Sequence, residues 1–149
     1  MNTLNATIVN TPVFVLMDGN SRIGPLVDLA DFESGCAPIY AFSDKAPYDR
    51  FCANTEMELT PYPLVQFYLR SQTEMPGHSQ RLIVVDATGP TDAILHATTM
   101  SAVLDAQENK KPQVTADFRL ILDGASKLYK LEKHASQVDE YVPSPADFE

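Results

Sequence analysis

Two stretches far apart in the chain read almost alike: VLMDGNSRIGPL at residues 15–26 and LILDGASKLYKL at residues 120–131. Asp18-Gly19 aligns with Asp123-Gly124, Ser21 with Ser126 and Arg22 with Lys127. Asp-Gly between apolar runs signals a β-hairpin, because tight turns that match the strand twist need positive φ. LIVVDATGPTDAIL, residues 82–95, echoes the pattern loosely. Three hairpin-like units confine the chain to an antiparallel or mixed sheet. The segments between them differ, so this is no solenoid, and shared turn chemistry is a simpler account than internal duplication. A competing reading makes residues 117–134 one helix on the spacing of Leu120, Leu128 and Leu131. The Asp123-Gly124-Ala125-Ser126 interruption favours the hairpin, since Gly costs about 1 kcal/mol relative to Ala inside a helix.

The rest of the chain supplies further strands and helices. Ala6 to Asp18 is rich in Thr, Ile, Val and Phe and reads as one strand, with Pro12 at its start or on an edge. Arg22 to Leu29 reads as its return strand, with Gly24-Pro25 marking a bulge, and residues 31–35 as a connection. A short strand, Ala37 to Phe42, is followed by Ser43-Asp44, which offers a helix N-cap. The helix spans about Lys45 to Ala53 and puts Tyr48, Phe51 and Cys52 on one face. Thr60 with Pro61 predicts the start of a second helix, its inner stripe being Leu64, Phe67 and Tyr68 with Leu69 flanking, ended by Met75-Pro76-Gly77. Arg81 to Asp86 is the most convincing strand, and its four consecutive apolar residues, Leu82 to Val85, predict a central position buried on both faces. Asp92 to Ala97 is a further strand. Thr98 or Thr99 then caps a helix through about Gln107, with Met100, Val103 and Leu104 inward. Residues 137–149, QVDEYVPSPADFE, have four acids, two prolines and no base, and read as an acidic flexible tail. The expected organisation is a single α+β domain over residues 1–136. Its antiparallel or mixed sheet carries two or three helices packed on one face.

Composition narrows the function classes. The apolar share, 44%, supports a core, and the chain has no apolar run long enough to span a membrane. The first ten residues lack the basic-then-apolar pattern of a secretory signal, so a cytoplasmic location is expected. Net charge is −9 and the only adjacent basic pair is Lys110-Lys111. That argues against nucleic acid and against an anionic membrane as partners. From Asp28 to Glu58 seven acids face Lys45 and Arg50 alone. Such charge serves solubility, and it also suits an acidic face that meets a basic partner. Two cysteines, Cys36 and Cys52, read as reduced thiols, with one disulfide between them as the alternative.

Motifs for chemistry fail in turn. An EF-hand reading of DGNSR puts Arg22 at a ligand position and misplaces the glycine. His78, His96 and His134 stand far apart in sequence with no cysteine at ligand spacing. Six glycines form neither a phosphate-binding nor a dinucleotide-binding loop, and no GxSxG elbow exists. Cys52, between Phe51 and Ala53, reads as core. No catalytic residue, metal ligand or cofactor is expected. Tyr40 and Tyr68 read as core, whereas Tyr48 and Tyr62 read as freer and available for an interface.

The order of PVFVLMDGNSRIGPLV, then PIYAFSD leading to a helix with DRF, then LIVVDATGP resembles the N-terminal domain of the bacterial enhanced serine sensitivity family over about residues 12–95. The resemblance implies a small α+β domain that acts through protein contacts, with no catalytic motif to carry over. The connection at residues 31–35, the C-terminal hairpin and the acidic tail depart from that pattern. The leading expectation is thus a non-catalytic, cytosolic protein–protein interaction or regulatory protein. Asp18, Asn20, Asp44, Tyr48, Asp49 and Tyr62 are its candidate partner-binding residues. An alternative is a small acidic inhibitor, such as an immunity or phage-borne anti-host protein, that binds a basic target enzyme. A third reading is an enzyme whose site assembles from scattered residues in a pocket. An unpaired hairpin edge would also permit a homodimer.

Overall fold

The computed structural model describes residues 7–19, 21–28, 30, 32, 37–55, 60–74 and 81–133. The expected Met75-Pro76-Gly77 helix stop, Asn20, Cys36 and the acidic tail lie outside the described residues, as does the connection at residues 31–35 except Phe32. In chain order the elements are β1 (Thr7–Asn10), β2 (Phe14–Asp18), β3 (Ser21–Arg22), β4 (Ile39–Phe42), α1 (Lys45–Ala53), β5 (Thr60–Pro63), α2 (Gln66–Thr73), β6 (Leu82–Val85), β7 (Ile94–Thr99), α3 (Met100–Glu108), β8 (Gln113–Ala116), β9 (Phe118–Leu122) and β10 (Tyr129–Lys133). The main sheet runs β10-β9-β7-β6-β4-β2-β3, with β5 paired to β2, and β1 and β8 form a separate antiparallel pair. Strands β4 and β6 pair in parallel and the other named pairs are antiparallel, which makes the sheet mixed.

Leu82 to Val85 is buried along its whole length between β4 and β7, as its unbroken apolar run predicts. Alternation along the strands then divides the core in two. Leu16, Tyr40, Phe42, Leu82, Val84, Leu95 and Leu120 gather on one face with Tyr48 and Phe51 of α1. Val15, Ile39, Ala41, Ile83 and Val85 gather on the other with Leu69 of α2 and with Met100 and Val103 of α3. Two helices therefore share one face, and α1 packs against the opposite one. Its start is fixed by Asp44, whose carboxylate accepts the Lys45 amide at 2.7 Å. The start of α3 is fixed by Thr99, whose hydroxyl accepts the Ala102 amide at 3.0 Å.

Several expectations need correction. The strand expected over Ala6 to Asp18 breaks into β1 and β2, which belong to different sheets. The break falls at Thr11-Pro12, where proline has no amide to continue a ladder. The partner of β1, β8, was not foreseen at all. The second helix begins at Gln66 rather than Thr60, and residues 60–63 form edge strand β5. Pro61 and Pro63 each bias the residue before them toward extended backbone, so Thr-Pro-Tyr-Pro extends instead of coiling. The helix phase shifts with its start. Leu69 becomes the buried residue of α2 and Phe67 is 79% exposed.

The return strand after Asp18-Gly19 is also shorter than expected. It pairs with β2 at Ser21 and Arg22, then leaves. Ile23 accepts the Tyr40 amide at 2.9 Å as the chain passes β4. Gly24 is pressed against the Pro38 carbonyl, which would stand 1.8 Å from any Cβ at this position. This glycine is therefore not a bulge but a close crossing of two backbones. Leu26 to Asp28 then reaches β10 at the far end of the main sheet. The Tyr129 amide donates to Leu26 O at 2.8 Å, and the Asp28 amide donates to Tyr129 O at 2.9 Å. The hairpin reading of residues 117–134 holds for β9 and β10, which pair from Phe118↔Lys133 to Leu122↔Tyr129.

Candidate functional site

The six sequence-derived contact residues do not assemble into one surface. Asp18 ends β2, exposed, opposite Ser21, and Asn20 lies outside the described residues. Asp44 and Asp49 flank the first turns of α1. Asp44 is its N-cap, and Asp49 forms a 3.0 Å ion pair with Lys45 one turn earlier. Tyr48 is not a free surface tyrosine. With Phe51 three residues later it turns inward, its ring edge-on to Phe42 at 5.7 Å between centroids. Burial pushes the Tyr48 hydroxyl well above its ordinary pKa, helped by a hydrogen bond with Cys52. Cys52 itself carries a free, half-buried thiol. Tyr62 stands on β5, opposite Val15, and therefore on the sheet face that carries α2 and α3.

Around Tyr62 the structure exposes an apolar surface that the sequence reading missed. Tyr62 is 51% exposed, and Val13, Val65 and Phe67 add large apolar side chains within the same strand–helix junction. Val13 and this junction are tied directly, since the Leu64 amide donates to Val13 O at 2.8 Å. That bond fixes which way β5 faces. Leu64 and Tyr62 turn their peptide groups toward β2, so residues 61 and 63 turn theirs outward. Both are proline. The outer edge of β5 thus lacks the N–H groups that an added strand would use. A stripe assigned from Thr60 hides this surface. A helix started at Gln66, after two X-Pro steps, would have placed Phe67 outside.

A second feature lies on the α1 side. A partly open, mainly apolar cavity of about 330 Å³ sits between the arms of the two look-alike stretches. Residues 23–26 of the first arm form one wall, and Lys127 and Tyr129 of the second form another. Tyr40 and Phe51 form its floor, their rings tilted at 4.7 Å between centroids. Tyr129 is fixed by its hydroxyl, which donates to Asp92 O at 2.5 Å, with Pro90 O at 3.4 Å. Burial, with Asp92 nearby, pushes that hydroxyl up to about 12. Tyr40 is 3% exposed and its hydroxyl is shifted strongly upward, first by burial and then by Tyr129 and Asp92. The Tyr40 hydroxyl makes no hydrogen bond with any described residue.

The two aligned bases take different roles. Arg22 lies over the Tyr68 ring at 3.6 Å, a cation–π contact on the α2 side. Lys127 adopts a left-handed backbone at φ 62° on the cavity rim. Among the described residues no three His, Cys, Asp or Glu side chains converge as metal ligands do. Among the described residues no helix is long and apolar enough to cross a membrane. Comparison with protein-family models, with curated proteins and with solved structures returns no match to this chain.

Proposed function

We propose that this protein is a non-catalytic interaction or regulatory module that engages a protein partner through the β5–α2 junction. The observation that carries this reading is Phe67, 79% exposed and grouped with Tyr62, Val65 and Val13. Leaving an aromatic side chain in water forgoes about 1.5–3 kcal/mol of burial, and clustered exposure of this kind marks contact surfaces. Aromatic residues also carry a large share of interface energy. The partner presents side chains rather than a strand, because the outward peptide positions of β5 are Pro61 and Pro63. A net charge of −9 favours a partner with a basic periphery. The resemblance of residues 12–95 to the enhanced serine sensitivity family, whose expected action is through protein contacts, agrees with this reading.

The test is photo-crosslinking from position 67 in a lysate of the native host, run beside a full-length Phe67→Asp variant used as competitor. Wild-type protein should compete away one specific adduct, while Phe67→Asp, still folded by circular dichroism, should not. Equal competition by both proteins would remove this surface from the function. Raising the salt should slow association with the captured partner. An unchanged on-rate would remove the electrostatic part of the reading.

A further inference from the structure

We propose that the cavity between the two arms binds a small hydroxylated carboxylic acid with an apolar body, its hydroxyl on Tyr40 and its carboxylate at Lys127. Three independent observations carry this. The size, about 330 Å³, lies at the lower end of small-molecule sites, and its walls are mainly apolar with few polar groups. Tyr40 forms part of the floor while 3% exposed, yet its hydroxyl makes no hydrogen bond with any described residue. The hydroxyl oxygen is not fully enclosed by protein, and tyrosine hydroxyls in protein interiors normally find partners. The cavity that Tyr40 lines is where such a partner can enter. The third observation is Lys127. It lines the rim, is exposed, and is held in a left-handed conformation that β-carbon-bearing residues avoid. No ion pair joins its ammonium to a described carboxylate.

Tyr40 is buried and Lys127 is exposed, and with Thr55 as a further polar lining residue that difference selects a ligand polar at both ends. Near Tyr40 the Asp92 carboxylate adds negative potential, which suits a neutral hydroxyl there and not an acid. At the rim a cation is available for the acid. Phe51, Ile23 and Leu26 add apolar lining suited to a ring or short chain. Recognition of this kind is strong where a site built to hydrogen-bond a hydroxyl meets an analogue lacking it, because a buried polar group is then left unpaired.

The experiment titrates the full-length protein with 3-(4-hydroxyphenyl)propionate, with 3-phenylpropionate and with the primary amide of the hydroxy acid, following amide shifts by NMR. The hydroxy acid should perturb Ile23, Leu26, Tyr40 and Tyr129 and bind about tenfold more tightly than either analogue, a factor of the size one buried hydrogen bond supplies. Tyr40→Phe should erase the advantage over 3-phenylpropionate, and Lys127→Met should erase the advantage over the amide. Tyr40→Phe should also leave the ligand-free melting temperature nearly unchanged, since the hydroxyl it removes makes no hydrogen bond with a described residue, which separates loss of binding from loss of fold. No shift at cavity residues with millimolar ligand, or advantages that survive both substitutions, would overturn the proposal.

Discussion

The two stretches that look alike, VLMDGNSRIGPL and LILDGASKLYKL, fold into different turns. In the first, Asp18 pairs with Ser21, and Gly19 after it is left-handed at φ 63°. In the second, the strand ladder ends at Leu122↔Tyr129, the Asp123 amide still donates to Leu128 O at 2.9 Å and the Lys127 amide to Asp123 O at 2.8 Å, and residues 124–127 close a longer loop. Here the aspartate works differently. Its carboxylate accepts the Ser126 amide at 3.1 Å and the Ser126 hydroxyl at 2.7 Å, folding the loop back on itself. The left-handed residue is then Lys127, not Gly124. One sequence pattern thus gives two solutions, and the position of the positive φ follows from loop length rather than from the glycine. The stretches do come together in space. Their return arms are hydrogen-bonded between Leu26, Asp28 and Tyr129, and the cavity lies between them.

Four substitutions sharpen this comparison. The largest effect belongs to Gly24→Ala, where the new Cβ would meet Pro38 O at 1.8 Å. Backbone gives way less readily than a side chain, so the stability loss in urea should be about 3 kcal/mol, the upper range for overpacking. Next come the two left-handed sites. Gly19→Ala brings about 1–2 kcal/mol of left-handed strain, partly offset by reduced freedom of the unfolded chain, for a net loss of about 1 kcal/mol. Lys127→Gly reverses both terms and should gain about 1 kcal/mol. Gly124→Ala should stay within about 0.5 kcal/mol of wild type, since its Cβ meets nothing within 4 Å and its φ is not positive. If the two hairpin glycines, Gly19 and Gly124, respond equally, the distinction between the turns fails.

The smallest effect is electrostatic. Hydrogen bonds from the Ser126 side chain and amide hold the Asp123 carboxyl below its usual range. A carboxylate with a folded pKa below its unfolded one contributes fully above the ordinary value near ~3.9. It loses that contribution as pH falls through the folded pKa. The Asp123 carboxyl carbon should therefore titrate below that ordinary value, and Ser126→Ala should move the midpoint upward. An unmoved midpoint would show that the loop is not held by this pair.

Much of the fold was legible because local and global signals agreed. Leu82–Val85 is apolar throughout and central, Asp44 and Thr99 cap the helices that follow them, and β9 and β10 form the expected hairpin. What escaped depended on contacts distant in sequence. Nothing near Gly24 signals that Pro38 passes over it, and nothing near Leu26 signals Tyr129 as its partner. The cavity was invisible for the same reason, since Tyr40 and Phe51 read as ordinary core residues and nothing in the sequence singled out Tyr129 until packing joined them. The exposed surface at Phe67 was missed for a local reason instead. Pro61 can open a helix or extend a strand, and a second proline two residues later decided for the strand.

The most direct test of the central claim, that the two arms are joined and frame one cavity, is amide hydrogen exchange at Tyr129 and Asp28. Both amides should be protected in the wild-type protein and in Gly124→Ala, and both should lose protection in Gly24→Ala, where the first arm is displaced. Free exchange of these two amides in the wild-type protein would contradict the account.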